Sequence, residues 1–598
     1  MTPVQGFGPL WLPHGGARFR LFAPARRKVQ LRLESRTGAR APACTMERNA
    51  EGWHWLDCPG CEPGDCYAFD LGDGLIVPDP ASRRQPRGVH GPSEIVDLQA
   101  YAWRTPWRGR PWHEAVIYEL HVGTFSSGGD YAGVEQRLDY LQSLGITALE
   151  LMPVAQFAGH RGWGYDGVLP FAPHCDYGTP AQLQALVDAA HARGLMVLLD
   201  VVYNHFGPEG HYIPRYWPHF VNPEVHTPWG AAVNYDAQGA AEVRSFVLDN
   251  AAYWLREFRL DGLRFDAVHA IHDRSPRPLL REVAERLRRE FAGRELHLVI
   301  ENERNDAQWL DRDGDAAGTF SAQWNDDVHH GLHTALTGES EGYYVDFAPD
   351  RALLPRALAT GFAWQGEVPP SRQAPRGTPS GGLRRTAFVD FLQNHDQVGN
   401  RATGERIAKL APAEARQAAL AILLLSPHVP LLFMGEEWGT QRPFLYFCDF
   451  AEPLASAIRN GRRREFSHFA AFRDETARDR LPDPLSESTF EASCLDWREA
   501  DAPESDNELA LVRKLLALRH VHVAPWLVAN PVGEAEHRND GSAFHVRWAG
   551  TRRDLHLQAN LGAETATMPA PGGADTLFER GRRSGDRFEP WTVRWSWS

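Results

Sequence analysis

An alternation of strand-like and helix-like segments, starting near residue 115, is the feature that most constrains the fold of this chain. Short apolar runs typical of buried strands are predicted at residues 115–122, 146–152, 195–202, 262–266, 297–301, 318–323, 386–392 and 429–434. Segments with helical periodicity lie at residues 133–144, 180–193, 243–257, 278–291, 412–425 and 507–519. Because parallel strands joined by helices wind in one hand, these strands predict a closed (β/α)8 TIM barrel.

A different pattern flanks the barrel on both sides. Residues 17–24 and 29–33 near the N-terminus, and 543–548 near the C-terminus, alternate apolar and polar side chains, which is typical of half-buried strands. We therefore predict a multidomain α/β chain. Its predicted parts are an N-terminal immunoglobulin-like β-sandwich at residues 1–105, a barrel with long loop insertions at residues 106–522 and a small C-terminal β domain at residues 523–598.

The charge and apolar patterning exclude several classes of partner. The net charge of −14 at pH 7 argues against nucleic acid or an anionic membrane as the main partner. Residues 1–20 lack the basic flank and apolar core of a signal peptide. The apolar residues 418–435 are interrupted by Pro427 and Pro430, so they do not predict a membrane span. These features predict a cytoplasmic protein with neutral substrates.

The seven cysteines form no recognisable metal-binding pattern. Cys58 and Cys61 are spaced as a pair, with Cys66 nearby, but no second pair follows at the distance that a zinc site requires. Cysteines in an odd and scattered set are typical of a reducing compartment. The sequence predicts neither a bound metal nor a cofactor.

Arg264 and Asp266 end the fourth predicted strand. Side chains two positions apart on a strand point to the same face, so the guanidinium would hold the carboxylate ionised and fixed in orientation. Such an Asp is suited to be a nucleophile. A structural ion pair explains the same two residues if they are taken alone.

Other strands predicted to end at the same rim also carry polar residues. Asp200 lies in the third strand, Glu301 ends the fifth, and Asp396 follows the seventh. Carboxylates brought close together repel one another and are costly to bury, so folding alone does not explain them. Glycoside hydrolysis needs such a group, because one ionised carboxylate attacks the anomeric carbon while a protonated one feeds the leaving oxygen.

Four ordered motifs resemble the signature regions of the α-amylase family of glycoside hydrolases. They are Asp200-Val-Val-Tyr-Asn-His205, Gly262-Leu-Arg-Phe-Asp266, Glu301 after an apolar strand, and Asn394-His-Asp396, and the resemblance spans about residues 115–520. It implies that Asp266 is the nucleophile, Glu301 the general acid/base and Asp396 the residue that stabilises the transition state.

The resemblance also implies a set of residues that contact the substrate. Tyr165 matches an aromatic residue that stacks on the sugar, and the long predicted connections at residues 153–179 and 435–506 can supply further stacking walls. The implied substrate-binding residues are Tyr165, Asp200, His205, Arg264, His395, Trp163 and Trp438. The family's calcium site would use Asn204, but no second cluster of oxygen ligands is apparent, so no metal is assigned.

Departures from the common family pattern narrow the expected activity. His269-Ala270 stands where typical α-amylases carry Lys-His, and residues 433–438 resemble the subgroup that holds branching enzymes, isoamylases and trehalohydrolases. Residues 301–306 and 392–401 look most like the trehalohydrolases. This resemblance implies cleavage of the α-1,4 bond next to the terminal trehalose of maltooligosyl trehalose, with maltooligosaccharides as the other ligands and maltooligosyl trehalose synthase as a metabolic partner. A glycogen branching enzyme and a non-catalytic glucan-binding protein are the alternatives.

Overall fold

The central part of the chain is a closed barrel of eight parallel strands, as predicted. The structure is a computed structural model, and it describes residues 6–310, 318–466, 474, 479–569 and 571–598. The barrel strands are β1 (Ile117–Leu120), β2 (Ala148–Leu151), β3 (Met196–Val201), β4 (Gly262–Phe265), β5 (His297–Ile300), β6 (Ala322–Trp324), β7 (Phe388–Phe391) and β8 (Val429–Phe433). Every residue of these strands is buried, which explains their continuous apolar runs.

The strand register brings the polar residues of neighbouring strands side by side. Asp200 of β3 is paired with Arg264 of β4, and Glu119 of β1 is paired with Glu150 of β2. Because all eight strands are parallel, their carboxyl ends meet at one rim of the barrel. This rim therefore collects the polar residues that end the strands.

The helices predicted to alternate with the strands are present, with one division. They are α1 (Leu138–Leu144), α2 (Pro180–Ala192), α3 (Ala240–Glu257), α4 (Leu279–Glu290), α6 (Ala413–Leu425) and α7 (Asp506–Leu518). One further helix after β6, α5 (Asp326–Thr337), was not predicted. The single helix expected at residues 133–144 is wrong in detail, because a separate helix, Tyr131–Glu135, precedes α1. Thr179 and Gln182 form a capping box at the start of α2. Between β5 and β6 the described residues contain no α-helix.

Long connections leave the carboxyl ends of several barrel strands. The one at residues 153–179 contains the hairpin Ala155–Gln156 and Leu169–Pro173. The one at residues 435–506 contains the helices Leu454–Phe466 and Glu487–Ser493, and its residues 467–473 and 475–478 lie outside the described part. A third connection, after β3, was not predicted. It carries the antiparallel hairpin Val221–Thr227 and Gly230–Val233, which reaches the site described below.

Antiparallel sheets flank the barrel at both ends of the chain. The N-terminal region holds two sheets, built mainly from Ala17–Phe22 with Trp53–Cys58 and from Gln30–Glu34 with Cys66–Asp70. The C-terminal region holds a five-stranded and a three-stranded sheet between residues 535 and 597. The domain limits at residues 105 and 522 stay a prediction. Among the described residues, no helix combines the length and the apolar character needed to cross a membrane.

Candidate active site

The guanidinium of Arg264 is the centre of the polar cluster at the rim. Its Nη1 donates to Asp200 Oδ2 at 2.6 Å and to Asp266 Oδ1 at 2.9 Å, and its Nη2 donates to Glu301 Oε2 at 2.7 Å. The Arg264 side chain is 0% exposed, and its guanidinium carbon lies 4.1 Å from the centroid of the Trp324 ring. One cation therefore holds three carboxylates that come from three neighbouring strands.

Asp266 directly follows β4, and both of its carboxylate oxygens accept hydrogen bonds. Oδ1 accepts from Arg264, and Oδ2 accepts from Asn204 Nδ2 at 2.7 Å. The side chain is 10% exposed. Donors on both oxygens fix the plane of the carboxylate, as a nucleophile requires.

Glu301 directly follows β5 and lies on the other arm of the guanidinium. Oε2 accepts from Arg264 and from the backbone N–H of Ala267 at 2.9 Å. Ala267 has a φ of 39°, a left-handed conformation uncommon for a residue with a side chain. Among the described residues both hydrogen bonds of this carboxyl fall on Oε2, so Oε1 is available to a substrate. The Glu301 side chain is 19% exposed.

Asp396 is the most open of these carboxylates, with 34% of its side chain exposed. It lies in a short helix, His395–Gly399, whose first turn is capped by the side chain of Asn394. Asp396 Oδ1 accepts from Asn400 Nδ2 at 3.1 Å and lies 3.5 Å from His395 Nε2. The helix directly follows β7, and His395 links Asp396 to Tyr165 and so to the cluster around Arg264.

A chain of polar groups connects His395 to Asp200 through Tyr165. The Tyr165 hydroxyl donates to Asp200 Oδ2 at 2.6 Å and lies 2.8 Å from His395 Nε2. The rings of Tyr165 and His395 are stacked, with centroids 5.1 Å apart. Burial raises the pKa of Asp200 to about 7, although the Arg264 charge opposes this shift. Burial alone would lower the pKa of His395, but the charges of Asp396 and Glu119 outweigh it and raise that pKa to about 9.

The remaining residues that the sequence singled out divide into near and distant ones. His205 Nδ1 donates to Asn204 Oδ1, next to the Asp266 carboxylate. Trp163 is 5% exposed, and its ring lies edge-on to His395 with centroids 5.5 Å apart. Trp438 is 3% exposed and packs against the rings of Tyr140 and Trp497. The structure therefore does not bring Trp438 together with the carboxylates, and it gives that ring no open face for a sugar.

Three residues at the rim were missed by the sequence analysis. Glu119, in β1, accepts hydrogen bonds from His395. Trp229, at the tip of the hairpin after β3, is 48% exposed and stacks on the His205 ring with centroids 4.7 Å apart. Asp326 begins α5 and accepts from Gln397 Nε2 at 3.0 Å. A carboxylate at the end of a barrel strand was the available signal for Glu119 and Asp326, whereas nothing in the sequence marked Trp229.

Among the described residues, Asn204 and His174, the two candidate metal ligands considered, already have hydrogen-bond partners. Both amide atoms of Asn204 are used, since Nδ2 donates to Asp266 and Oδ1 accepts from His205. In the described part of the chain, one group of possible ligands was found, at His174, Cys175 and Asp176. The His174 nitrogens already contact the Asp176 backbone N–H and the carbonyl of Gly159, so this ring is not free to bind a metal.

The barrel and its polar rim define a class of enzyme. Three carboxylates gathered around one buried arginine at the C-terminal end of a TIM barrel are the arrangement of an α-amylase-type glycoside hydrolase. A family model described as "Alpha amylase, catalytic domain" matches residues 82–218. A second, described as "Domain of unknown function (DUF3459)", matches residues 533–595 in the C-terminal sheets.

Relatives narrow the class further. A malto-oligosyltrehalose trehalohydrolase from Saccharolobus solfataricus is 41% identical over 85% of this chain and 86% of its own length. Another from Rhizobium sp. (strain M-11) is 42% identical over 96% of this chain and 94% of its own length. The chain therefore belongs to the malto-oligosyltrehalose trehalohydrolase family.

Two further comparisons bear on the fold and on the alternative activity. A solved structure from Salmonella typhimurium, provisionally named an alpha amylase, matches with a TM-score of 0.94 and 44% identity, over 99% of this chain and 100% of its own. A 1,4-alpha-glucan branching enzyme from Burkholderia thailandensis is 29% identical over 74% of this chain and only 56% of its own length. The branching enzymes are thus represented by a weaker and partial match.

Proposed function

We propose that this enzyme hydrolyses the α-1,4 bond next to the terminal trehalose of maltooligosyl trehalose and releases trehalose. The observation that carries the proposal is the placement of Asp266 and Glu301 on the two arms of one guanidinium. Carboxyls that share one planar group lie close together, which suits the separation of about 5–5.5 Å used by glycosidases that retain configuration. The names of the relatives supply the substrate.

In the first half of the reaction Asp266 attacks the anomeric carbon of the bound glucan. Its oxygens are held by Arg264 and Asn204, so the attacking atom needs little reorientation. Glu301 gives its proton to the glycosidic oxygen as that bond breaks, and trehalose leaves with the proton. The glucan remains bound to Asp266 as an ester.

In the second half water resolves the ester. Glu301, now ionised, takes a proton from water while the water oxygen attacks the anomeric carbon, and the Asp266 carboxylate is released. One water is consumed and Glu301 regains its proton. Asp396, the most open carboxylate, is positioned to accept hydrogen bonds from sugar hydroxyls during both halves.

Two aromatic rings are open to sugars at the mouth of the site. Trp229 is 48% exposed and stacks by its other side on His205. Tyr343 is 68% exposed, and burial of its hydroxyl, then the charge of Glu465 and that of Asp396, raise its pKa. Aromatic faces stack on the apolar faces of pyranose rings. We propose that these two rings, rather than Trp438, form the stacking walls for the substrate.

The proposed setting follows from the substrate. Maltooligosyl trehalose must be made from a maltooligosaccharide by an enzyme that rearranges the reducing end, so we infer that maltooligosyl trehalose synthase is the metabolic partner. We further propose that the enzyme acts in the cytoplasm. All seven cysteines are unpaired, including the neighbouring Cys58 and Cys61, as a reducing compartment favours.

Product analysis on three substrates tests the function. Purified enzyme is incubated with maltotriosyl trehalose, with maltopentaose of equal length, and with amylose. We expect trehalose and maltotriose from the first substrate, a much lower kcat/KM for the second, and little new α-1,6 linkage in the third. An Asp266→Asn variant, prepared in the same way, controls for contaminating amylases. Equal cleavage of the first two substrates, or branching of amylose, would contradict the proposal.

The same substrates test the aromatic walls. Trp229→Ala should lower kcat/KM for maltotriosyl trehalose by about ten-fold, the loss of one stacking contact of about 1–2 kcal/mol. Its thermal midpoint should stay near that of the wild type because the ring is half exposed. Trp438→Ala is the matched control. An equal kinetic loss in both variants would remove Trp229 from the substrate wall.

A further inference from the structure

Glu119 is buried in the barrel and touches the substrate-facing cluster only through His395. Its side chain is 1% exposed. Glu119 Oε1 lies 2.5 Å from His395 Nδ1, and Oε2 accepts the backbone N–H of His395 at 3.0 Å. Both oxygens therefore contact one residue, His395, which begins a short helix 276 residues further along the chain. Neither the reaction steps above nor the family motifs assign this carboxylate a role.

The hydrogen bonds around His395 define where the protons are. The Tyr165 hydroxyl gives its single proton to Asp200 Oδ2, which also accepts from Arg264. The Tyr165 oxygen can then only accept, so the 2.8 Å contact with His395 Nε2 requires a proton on that nitrogen. The carboxylate of Glu119 accepts the proton on Nδ1. With both nitrogens protonated, His395 is an imidazolium.

We propose that Glu119 is a positioning residue that keeps His395 cationic and fixes its Nε2–H between Tyr165 and Asp396. The fixed imidazolium sets the stacked Tyr165 ring in place and supplies a counter-charge 3.5 Å from Asp396 Oδ1. That cation offsets the negative charge of Asp396 beside the two reacting carboxyls. Glu119 thus acts on the reaction through His395 and without contacting the sugar.

Several other charged or titratable groups surround His395. They are Asp396 on its own helix, Arg264 on β4, Asp200 on β3, Tyr165, Glu150 on β2 and His121 after β1. Burial lowers the pKa of His121 to about 3, so that ring is neutral. Arg264 repels a second cation. Glu119 is therefore the buried anion whose hydrogen bond offsets this repulsion.

Glu150 supplies a matched control on the neighbouring strand. It is paired in register with Glu119 and is also 1% exposed. Both of its side-chain oxygens are buried without a hydrogen-bond partner in the described part of the chain. Burial, and then the Glu119 charge, raise the pKa of Glu150 well above its usual range. Glu150 thus lies beside Glu119 without contacting His395, and replacing it by Gln leaves the hydrogen bonds of His395 unchanged.

The test compares the pH profiles of Glu119→Gln and Glu150→Gln with that of the wild type. Glu119→Gln should lower kcat about 10- to 100-fold, as for a small misplacement of catalytic groups, with a smaller change in KM. The acid limb of its kcat/KM profile should move up by about one pH unit, because the lost cation no longer favours ionised carboxylates. Glu150→Gln should keep the wild-type profile.

The proposal can be overturned in three ways. An unshifted acid limb in Glu119→Gln contradicts it, whatever the loss in kcat, because a merely structural role would lower activity without moving the profile. An equal shift in Glu150→Gln contradicts it as well. If Glu119→Gln does not fold, Glu119→Asp is the deciding variant. It keeps the negative charge, so the acid limb of its kcat/KM profile should stay at the wild-type pH while kcat falls. A limb moved upward in Glu119→Asp would then refute the role.

The inference rests on the proposed function only for the choice of substrate. Wild-type cleavage of maltotriosyl trehalose tests that function, and the ratio of variant to wild type tests Glu119. If the wild type instead cleaves a plain maltooligosaccharide, the same ratios are measured on that substrate.

Discussion

Replacing Arg264 by Met should destabilise the barrel by an amount that the structure bounds. Met is similar in length, but it removes the donors to Asp200, Asp266 and Glu301 at 2.6, 2.9 and 2.7 Å. Hydrogen bonds to charged groups contribute about 1.5–3 kcal/mol each, so three would sum to roughly 5–9 kcal/mol. The carboxylates can protonate or take up water, so the loss should be nearer the ~3–5 kcal/mol seen when a buried ion pair loses one partner.

The destabilisation should grow with pH. Burial raises the pKa of Asp200 to about 7, although the Arg264 charge lowers it. Without the cation the folded-state pKa of Asp200 rises further, so stability is lost as pH increases and this unpaired carboxyl must ionise. Calorimetric midpoints of wild type and Arg264→Met at about pH 5 and about pH 8 measure the effect.

A second substitution separates the charge from the packing. Adding Asp200→Asn to Arg264→Met removes one unpaired carboxylate and should recover part of the lost stability, most of it at the higher pH. Asp200→Asn alone is the control for the cycle. If Arg264→Met is as stable as the wild type at about pH 8, or the double variant gains nothing, the guanidinium does not hold the cluster as argued.

Three further outcomes are expected. Asp266→Asn and Glu301→Gln should each lower kcat by several orders of magnitude, and their losses should not multiply in the double variant, because the two steps act as a unit; single-turnover rates measure this. The pKa of His395 is raised from 6.5 to about 9, so the stability that its protonated form contributes is fully present below about pH 6.5 and is lost as pH rises through about 9. This contribution amounts to about 3 kcal/mol. Thermal midpoints measured across this pH range check it. Trp438→Phe should lower the thermal midpoint and leave kcat/KM unchanged. Trp229→Phe should lower kcat/KM and leave the thermal midpoint unchanged.

The barrel and its catalytic rim could be predicted because local rules determine them. Continuous apolar runs marked the strands, and parallel winding placed their carboxyl ends together. Arg264 and Asp266 are two positions apart, so the period of a strand put them on one side. Their contact at 2.9 Å follows from that period and from no other knowledge of the fold. The roles assigned to these residues stay predictions.

The aromatic walls could not be predicted, because exposure depends on partners distant in sequence. Trp438 and Trp229 both lie in loops beside glycine, and nothing local distinguishes them. Trp438 is covered by Tyr140 of α1 and by Trp497. Trp229 is carried over the rim by a hairpin in a connection whose length the sequence analysis did not single out. Long loops identify where a substrate wall can form, but the surrounding helices decide which ring remains open.

Glu119 and Glu150 show the same limit for charge. Each is a Glu inside an apolar strand, and each is 1% exposed, so local sequence assigns them the same cost of burial. The structure separates them because the imidazole of His395, 276 residues along the chain, reaches the first carboxylate and not the second. That contact forms only when the seventh strand closes near the first. Barrel closure therefore decides which buried acid gains a hydrogen-bond partner, and the pH profiles of the two Gln variants test what that partner does for the reaction.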